Sequence, residues 1–357
     1  MKILVVRFRQ MGDAILATPL LSTLRKNFPD AEIDFVLNER IVPLFEGHPA
    51  ISRIITFTDD ERHSFFTYIR KVWRIVHQTR YDAIIDMRST VNTMLFALFS
   101  LRSKWRIGIR KPYTWGIFNH RFEGCEDNES MIDHNLKLSL PLRGQDERDW
   151  IVERNLSLSI TEKEKQDFRS YMEHQGIDFS CPVLLVGVTA KLEHKTWPED
   201  RMTETLRRFI EAYPQWQLIF NYAPGREAEN ARRICEQLEC PPNVVMNVEA
   251  KSPRQLAAMA ANCSAYFGNE GGARHIVHAM GRPSLVICSP GASKTTWLPD
   301  DTDVCAQGIS ASDFANVSGL TRQQQYNLID VDYVWNALDA FINRITSILK
   351  SVQLSTR

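Results

Sequence analysis

The chain has 357 residues, with 43 lysines and arginines set against 43 aspartates and glutamates. That length suits two domains better than one core, and the even charge argues against a general nucleic-acid binder while leaving local basic patches open. The seven cysteines are odd in number and include no CxxC pair, which favours reduced thiols over a disulfide framework or a zinc site, and no apolar run approaches the ~18 residues of a membrane span.

The opening MKILVV is too short and too strand-like for a signal peptide, so the expected location is the cytoplasm, at most peripheral to a membrane. KILVVRF reads as a strand buried on both faces. DAILATPLLSTLRKNFP has helical spacing and should stop near Pro29. EIDFVL is a second strand, and helical stretches follow, SFFTYIRKVWRIVHQTR the clearest of them. YDAIIDM is a third strand, TVNTMLFALFSL an apolar helix, and WRIGI a short strand. This alternation predicts a parallel, doubly wound sheet.

A second set of parts begins after a polar stretch. SLSITEKEKQDFRSYMEHQGI reads as a helix capped at Thr161. Strands CPVLLVGV, WQLIFNY, NVVMNV, AYFGN and PSLVICS then alternate with helices DRMTETLRRFIEAYP, REAENARRICEQL, SPRQLAAMAANC and ARHIVHAMG. The C-terminal VDYVWNALDAFINRITSILKSV carries one apolar face. A helix packed on the body explains it better than a membrane-surface helix, because the polar face is not strongly basic. The expected division is 1–158, 159–328 and a terminal helix at 329–357.

Ligands of doubly wound sheets bind at the carboxyl ends of strands, so the loops there hold the candidates. In RFRQMGD, Asp13 is either a helix N-cap or a general base, and Arg7 and Arg9 either bind anionic groups or hold that carboxylate. Lys195 precedes Trp197-Pro198 at a helix start, where a cation opposes the macrodipole unless an anion lies between; a solvated loop lysine is the plainer alternative. Glu227 falls in the first turn of REAENARR, where an acid suits the dipole and is also placed for a ribose hydroxyl. Glu270-Gly271-Gly272 between a strand and a helix is the strongest signal, a turn whose N–H groups would cradle phosphate oxygens, with His275 one turn in. His275 and His278 share a face, but no HExxH or cysteine pair supports a metal. The absence of GxGxxG and GxxxxGK[ST] argues against a dehydrogenase or a P-loop NTPase.

Taken together these pieces resemble the family 9 glycosyltransferases, the lipopolysaccharide core heptosyltransferases. The MGD loop with ATPLLSTLRKNFPDAEID, then YDAIIDMR, RIG, KTWPEDR, the GRE turn and GNEGGARHIVHAMGRPSLVICSPG carry the likeness in order over roughly 1–300. The resemblance implies a GT-B fold, two facing Rossmann-like doubly wound α/β domains with a cleft between them. It implies inverting transfer of heptose from ADP-heptose to the Kdo or heptose of the inner core, with no metal or other cofactor. Asp13 would be the base, and Lys195, Glu227, Glu270, Gly271, Gly272 and His275 would bind the donor. The first domain would take the acceptor, an anionic lipid-linked oligosaccharide, through Arg7, Arg9, Arg88 and Arg106. The basic and aromatic segment RSKWRIGIRKPYTWGIFNHR suits that acceptor and a membrane surface, and equally an ordinary solvated loop. Peripheral contact with the cytoplasmic face of the inner membrane would follow; nucleic acid is not an expected partner. The family usually has Asp-Ser/Thr-Gly where this chain has Glu270-Gly271-Gly272. Rival readings are a GT-B transferase using another nucleotide sugar, a nucleotide-sugar epimerase, and a non-catalytic nucleotide-sugar or glycan-binding protein.

Overall fold

Strands that are apolar on both faces must be covered on both faces, and this sequence supplies a helix after nearly every strand to do it. A computed structural model describes the chain except Arg9 and residues 127–128, 145–149, 299–303 and 356–357, with side chains described as far as residue 349. The chain divides into two compact units, 1–159 and 160–357.

In the first unit the strands are β1 (Lys2–Val6), β2 (Glu32–Asn38), β3 (Arg53–Phe57), β4 (Ala83–Asp86), β5 (Trp105–Ile109) and β6 (His120–Phe122). The helices are α1 (Met11–Ile15), α2 (Thr18–Asn27), α3 (Val42–Phe45), α4 (Asp59–His63), α5 (Phe65–Gln78), α6 (Leu95–Leu98) and α7 (Met131–Lys137). The sheet is wholly parallel, in the order β3-β2-β1-β4-β5-β6. Leu4, Val6, Val36 and Ile84 meet Tyr68, Val72, Val76 and Phe96 of α5 and α6 on one face.

The second unit repeats the plan. Its strands are β7 (Val183–Gly187), β8 (Gln217–Phe220), β9 (Val244–Val245), β10 (Ala265–Asn269), β11 (Ser284–Ile287) and β12 (Ala306–Ile309). Helices α8 (Glu162–His174), α9 (Glu199–Ala212), α10 (Arg226–Gln237), α11 (Pro253–Asn262), α12 (Gly272–Ala279), α13 (Lys294–Trp297), α14 (Arg322–Leu328) and α15 (Val331–Ser355) surround them. The order β12-β11-β10-β7-β8-β9 is the same doubly wound topology, first strand beside fourth. Val334, Leu338, Phe341, Ile342 and Ile345 of α15 are buried in this unit's core. Thr161 caps α8 in a reciprocal box with Glu164. No helix among the described residues is long and apolar enough to cross a membrane.

Several elements differ from the sequence expectation. The helix expected over residues 13–29 is two, broken at Leu16-Ala17, because Pro19 lacks an N–H and fits only a first turn. RIITF, expected within a helical region, is strand β3. Strands β6 and β12 lack an apolar run and exist because a neighbouring strand offers them a ladder. In TVNTMLFALFSL only Leu95–Leu98 is helical.

Between β7 and β10 the backbones come unusually close. A Cβ added at Gly268, whose φ is +138°, would run into the Gly187 carbonyl, and one at Gly187 would meet the Tyr266 hydroxyl. Gly271, two residues past the strand end, has extended backbone and open space around it. Gly268→Ala should therefore cost about 1–3 kcal/mol or more in denaturant unfolding, whereas Gly271→Ala should leave the midpoint almost unchanged.

Candidate active site

Where strand order reverses, the helix after one central strand goes to one face and the helix after its neighbour to the other, leaving an open mouth at the strand ends. Each unit has one such mouth, and most of the residues singled out in the sequence lie at the two.

In the first unit the mouth lies past Val6 and Asp86, which pair in register. Arg7 and Asp13 are both buried, and the Arg7 Nη2 donates to Asp13 Oδ1 at 3.0 Å. Asp13 is the third residue of α1 and Gln10 is its N-cap, so the N-cap alternative for Asp13 does not describe the structure. Its Oδ2 makes no hydrogen bond to any described residue. Arg7 also donates to the Met87 carbonyl at 3.1 Å, and Arg88 donates back to the Phe8 carbonyl at 2.7 Å. The two arginines thus lace the β1 and β4 ends together across the mouth. Beneath them Asp86 accepts the backbone N–H groups of Arg88 and Ser89, and complete burial raises its pKa. Arg9 lies outside the described residues. Arg106 does not reach this mouth: its guanidinium is bound to the carbonyls of Leu101, Ser103 and Ile117, pinning the segment after α6 to the β5–β6 connection. Of the basic and aromatic segment, Arg110 pairs with Glu123 at 3.0 Å, Lys111 donates to the Arg88 carbonyl, and Trp115 is left exposed.

In the second unit the mouth lies past Gly187 and Gly268, and Asn269 holds it. This buried side chain accepts the Trp197 N–H at 2.7 Å and donates to the carbonyls of Gly187 at 3.0 Å and Val188 at 3.1 Å. Trp197, fully buried, anchors the loop that carries Lys195 and donates its indole N–H to the Ile329 carbonyl. Lys195 Nζ lies 3.3 Å from Glu270 Oε1. The other Glu270 oxygen accepts the N–H and the hydroxyl of Ser289, at 3.2 and 2.7 Å. Glu270 thus braces three strand-end loops. Gly271 precedes α12 with no side-chain cap, so the first-turn N–H groups of α12 have no side-chain acceptor there. Glu227, in the first turn of α10, accepts from the Thr189 hydroxyl and the Ala223 N–H through Oε2, and Oε1 makes no hydrogen bond to a described residue.

His275 is turned inward. Its Nε2 lies 3.2 Å from the guanidinium of fully buried Arg274, and burial together with the Arg274 and Lys195 charges holds its pKa well below the usual histidine range. His278 is pushed down to about 3 by burial and by Arg274. These are two neutral imidazoles packed under the α12 turn. Among the described residues, Cys125, Glu129 and His134 bring possible metal-ligand atoms within 4.8 Å of one another, and Lys137 also pairs with that glutamate.

Sequence reasoning missed Asn269, Ser289, Thr189 and Arg274. A strand-ending asparagine beside an acid was the one signal available; Ser289, Thr189 and Arg274 act through partners 19, 38 and 23 residues away.

Two doubly wound units of this topology are the fold of the GT-B glycosyltransferases. The particular family follows from comparison: residues 69–323 match the model of Glycosyltransferase family 9 (heptosyltransferase), and the chain belongs to that family. Lipopolysaccharide heptosyltransferase 1 of Campylobacter coli is 21% identical over 80% of this chain and 83% of its own length. Lipopolysaccharide heptosyltransferase 2 of Escherichia coli K12 is 24% identical, over 83% and 85%. The solved glycosyl transferase family 9 protein of Veillonella parvula superposes with a TM-score of 0.81 at 19% identity, covering 96% of this chain and 97% of that one. E. coli heptosyltransferase WaaC with ADP gives 0.69 at 16%, covering 97% and 100%. The protein is thus a glycosyltransferase.

Two outcomes check this geometry. Arg7→Leu leaves a buried carboxylate without its cation and should cost about 3–5 kcal/mol in chemical unfolding, whereas Asp13→Asn, which keeps an oxygen for the guanidinium, should cost less. His278 has a folded pKa below the unfolded value, so the unfolded chain binds the extra proton and stability is full above about pH 6.5 and falls toward pH 3. Unfolding midpoints at pH 7 and pH 5 should drop with acid, and His278→Gln should shrink the drop.

Proposed function

We propose that the protein is an inverting, metal-independent heptosyltransferase that moves heptose from ADP-heptose to the Kdo or heptose of the lipopolysaccharide inner core, with Asp13 as general base. The observation that carries this is the buried Arg7–Asp13 pair at the first switch point, with Asp13 Oδ2 making no hydrogen bond to any described residue. A guanidinium that fixes one oxygen aims the other, and an aimed carboxylate oxygen can take a proton from an acceptor hydroxyl.

In this reading the hydroxyl oxygen bonds to the anomeric carbon as that carbon's bond to the diphosphate oxygen breaks. The proton goes to Asp13, the bonding pair leaves with ADP, and attack opposite the leaving group inverts the centre through an oxocarbenium-like state. The second unit takes the donor. Glu227 Oε1 is available to a ribose hydroxyl, and the uncapped N–H groups at Gly271 and Gly272 suit the diphosphate. Lys195, about a third exposed and parked on Glu270, is positioned to turn to the same charge as it grows. His275 serves as packing under that turn. On the acceptor side, Arg7 and Arg88 shape the mouth, while Arg106 is left out because its guanidinium is held by the carbonyls of Leu101, Ser103 and Ile117. A lipid-linked acceptor brings the protein to a membrane surface from the cytoplasmic side.

The test is ADP release from ADP-heptose with a short heptose-deficient core acceptor, run beside Asp13→Asn. Release should require the acceptor and fall by ~10²–10⁴ in the variant while ADP binding persists. Turnover without acceptor, or full activity in the variant, would overturn the assignment of Asp13. Failure to bind any adenine nucleotide would overturn the donor site.

A further inference from the structure

Helix α5 has two faces of opposite character. Tyr68, Val72 and Val76 are buried against the sheet of the first unit. The outward side carries Phe66, Arg70, Trp73 and His77 at spacings of four, three and four, with Phe65 and Arg74 beside them. Phe66 is 83% exposed, Phe65 63% and Trp73 51%, a run of uncovered aromatic surface uncommon in a water-facing helix.

The rings are ordered without a cover. Phe65 and Phe66 meet edge to face at 5.8 Å, and Trp73 stacks on His77 at 4.2 Å. From Ser64 to Arg80 the sequence has Arg70, Lys71, Arg74 and Arg80 and neither aspartate nor glutamate. Lys71 is engaged by Glu61, but Arg70, Arg74 and Arg80 form no ion pair with any described residue. Of the acids just upstream, Asp59 is held by Arg40 and Arg62 and Glu61 by Lys71, while Asp60 is exposed. A groove of about 460 Å³ runs beside the helix against β3, and Arg74 contributes its cation to it.

Aromatic rings interleaved with unpaired arginines match a surface that offers phosphate and hydrocarbon within a few ångströms of each other. We propose that this face of α5 seats the protein on an anionic lipid bilayer, with Phe66 and Trp73 entering the headgroup boundary and Arg70 and Arg74 meeting lipid phosphates. The proposed function supplies the reason for being there, a lipid-linked acceptor; the binding does not depend on heptosyl transfer.

The experiment is co-sedimentation of the full chain with vesicles of phosphatidylcholine alone and of phosphatidylcholine with phosphatidylglycerol. Wild type should bind the anionic vesicles and not the neutral ones. Phe66→Ser/Trp73→Ser and Arg70→Glu/Arg74→Glu should each lose ~10-fold or more, and added salt should weaken the wild type. All three proteins should transfer equally to a lipid-free acceptor. No vesicle binding, equal binding to both lipids, or unaffected variants would overturn the proposal. So would loss of transfer to the lipid-free acceptor, which would place α5 in the acceptor site, or a dimer in solution that the aromatic variant dissolves, which would make the face a self-contact. The expected vesicle pattern without transfer by any of the proteins would instead reject the proposed function and leave the membrane face standing.

Discussion

Both units depend on the reversal of strand order beside their first strands. There the covering helices part to opposite faces, so the ends of two central strands have no helix over them and must be tied by side chains. In one unit Arg7 and Arg88 tie each loop to the other's carbonyl. In the other, the Asn269 side chain ties the β7 end, the β10 end and the loop at Trp197. Arg7 and Asn269 are buried, and the hydrogen bonds they make hold these loops in place from within the protein.

The same topology presents opposite chemistry at its two mouths. The first offers a carboxylate oxygen backed by arginine, the second a lysine and the start of a helix. A helix start with a lysine beside it is an arrangement that favours an anion. The close approach of Gly187 and Gly268 serves the same end, because only without Cβ atoms can those strand ends lie near enough for one asparagine to span them.

The repeating alternation of apolar strand and amphipathic helix was legible along most of the chain, since each strand buried on both faces had to be apolar whatever surrounded it. The edge strands β6 and β12 were not, because an edge strand draws its structure from a neighbour's ladder. RIITF likewise became a strand through its pairing with β2, and the break before α2 was written in Pro19 but lost inside a convincing helical spacing. At the sites, Asp13, Lys195, Glu227 and the Glu270-Gly271-Gly272 turn stood out because they follow strands.

What those residues touch was a different matter. Arg7 and Arg106 are alike in the sequence, two arginines beside apolar strands; one holds Asp13 and the other is consumed by three carbonyls. Glu270 stands out by its place after a strand, but its contacts with Lys195 and Ser289 could not be read there. By itself the sequence determined the class of fold, two doubly wound units, and which loops follow the strand ends, because periodicity and strand-end position are local properties. The tertiary structure decided which charges are paired, which atoms remain available and which aromatic rings face outward, because a partner 75 residues away, as Glu270 is from Lys195, exists only once the sheet has set the strand ends side by side.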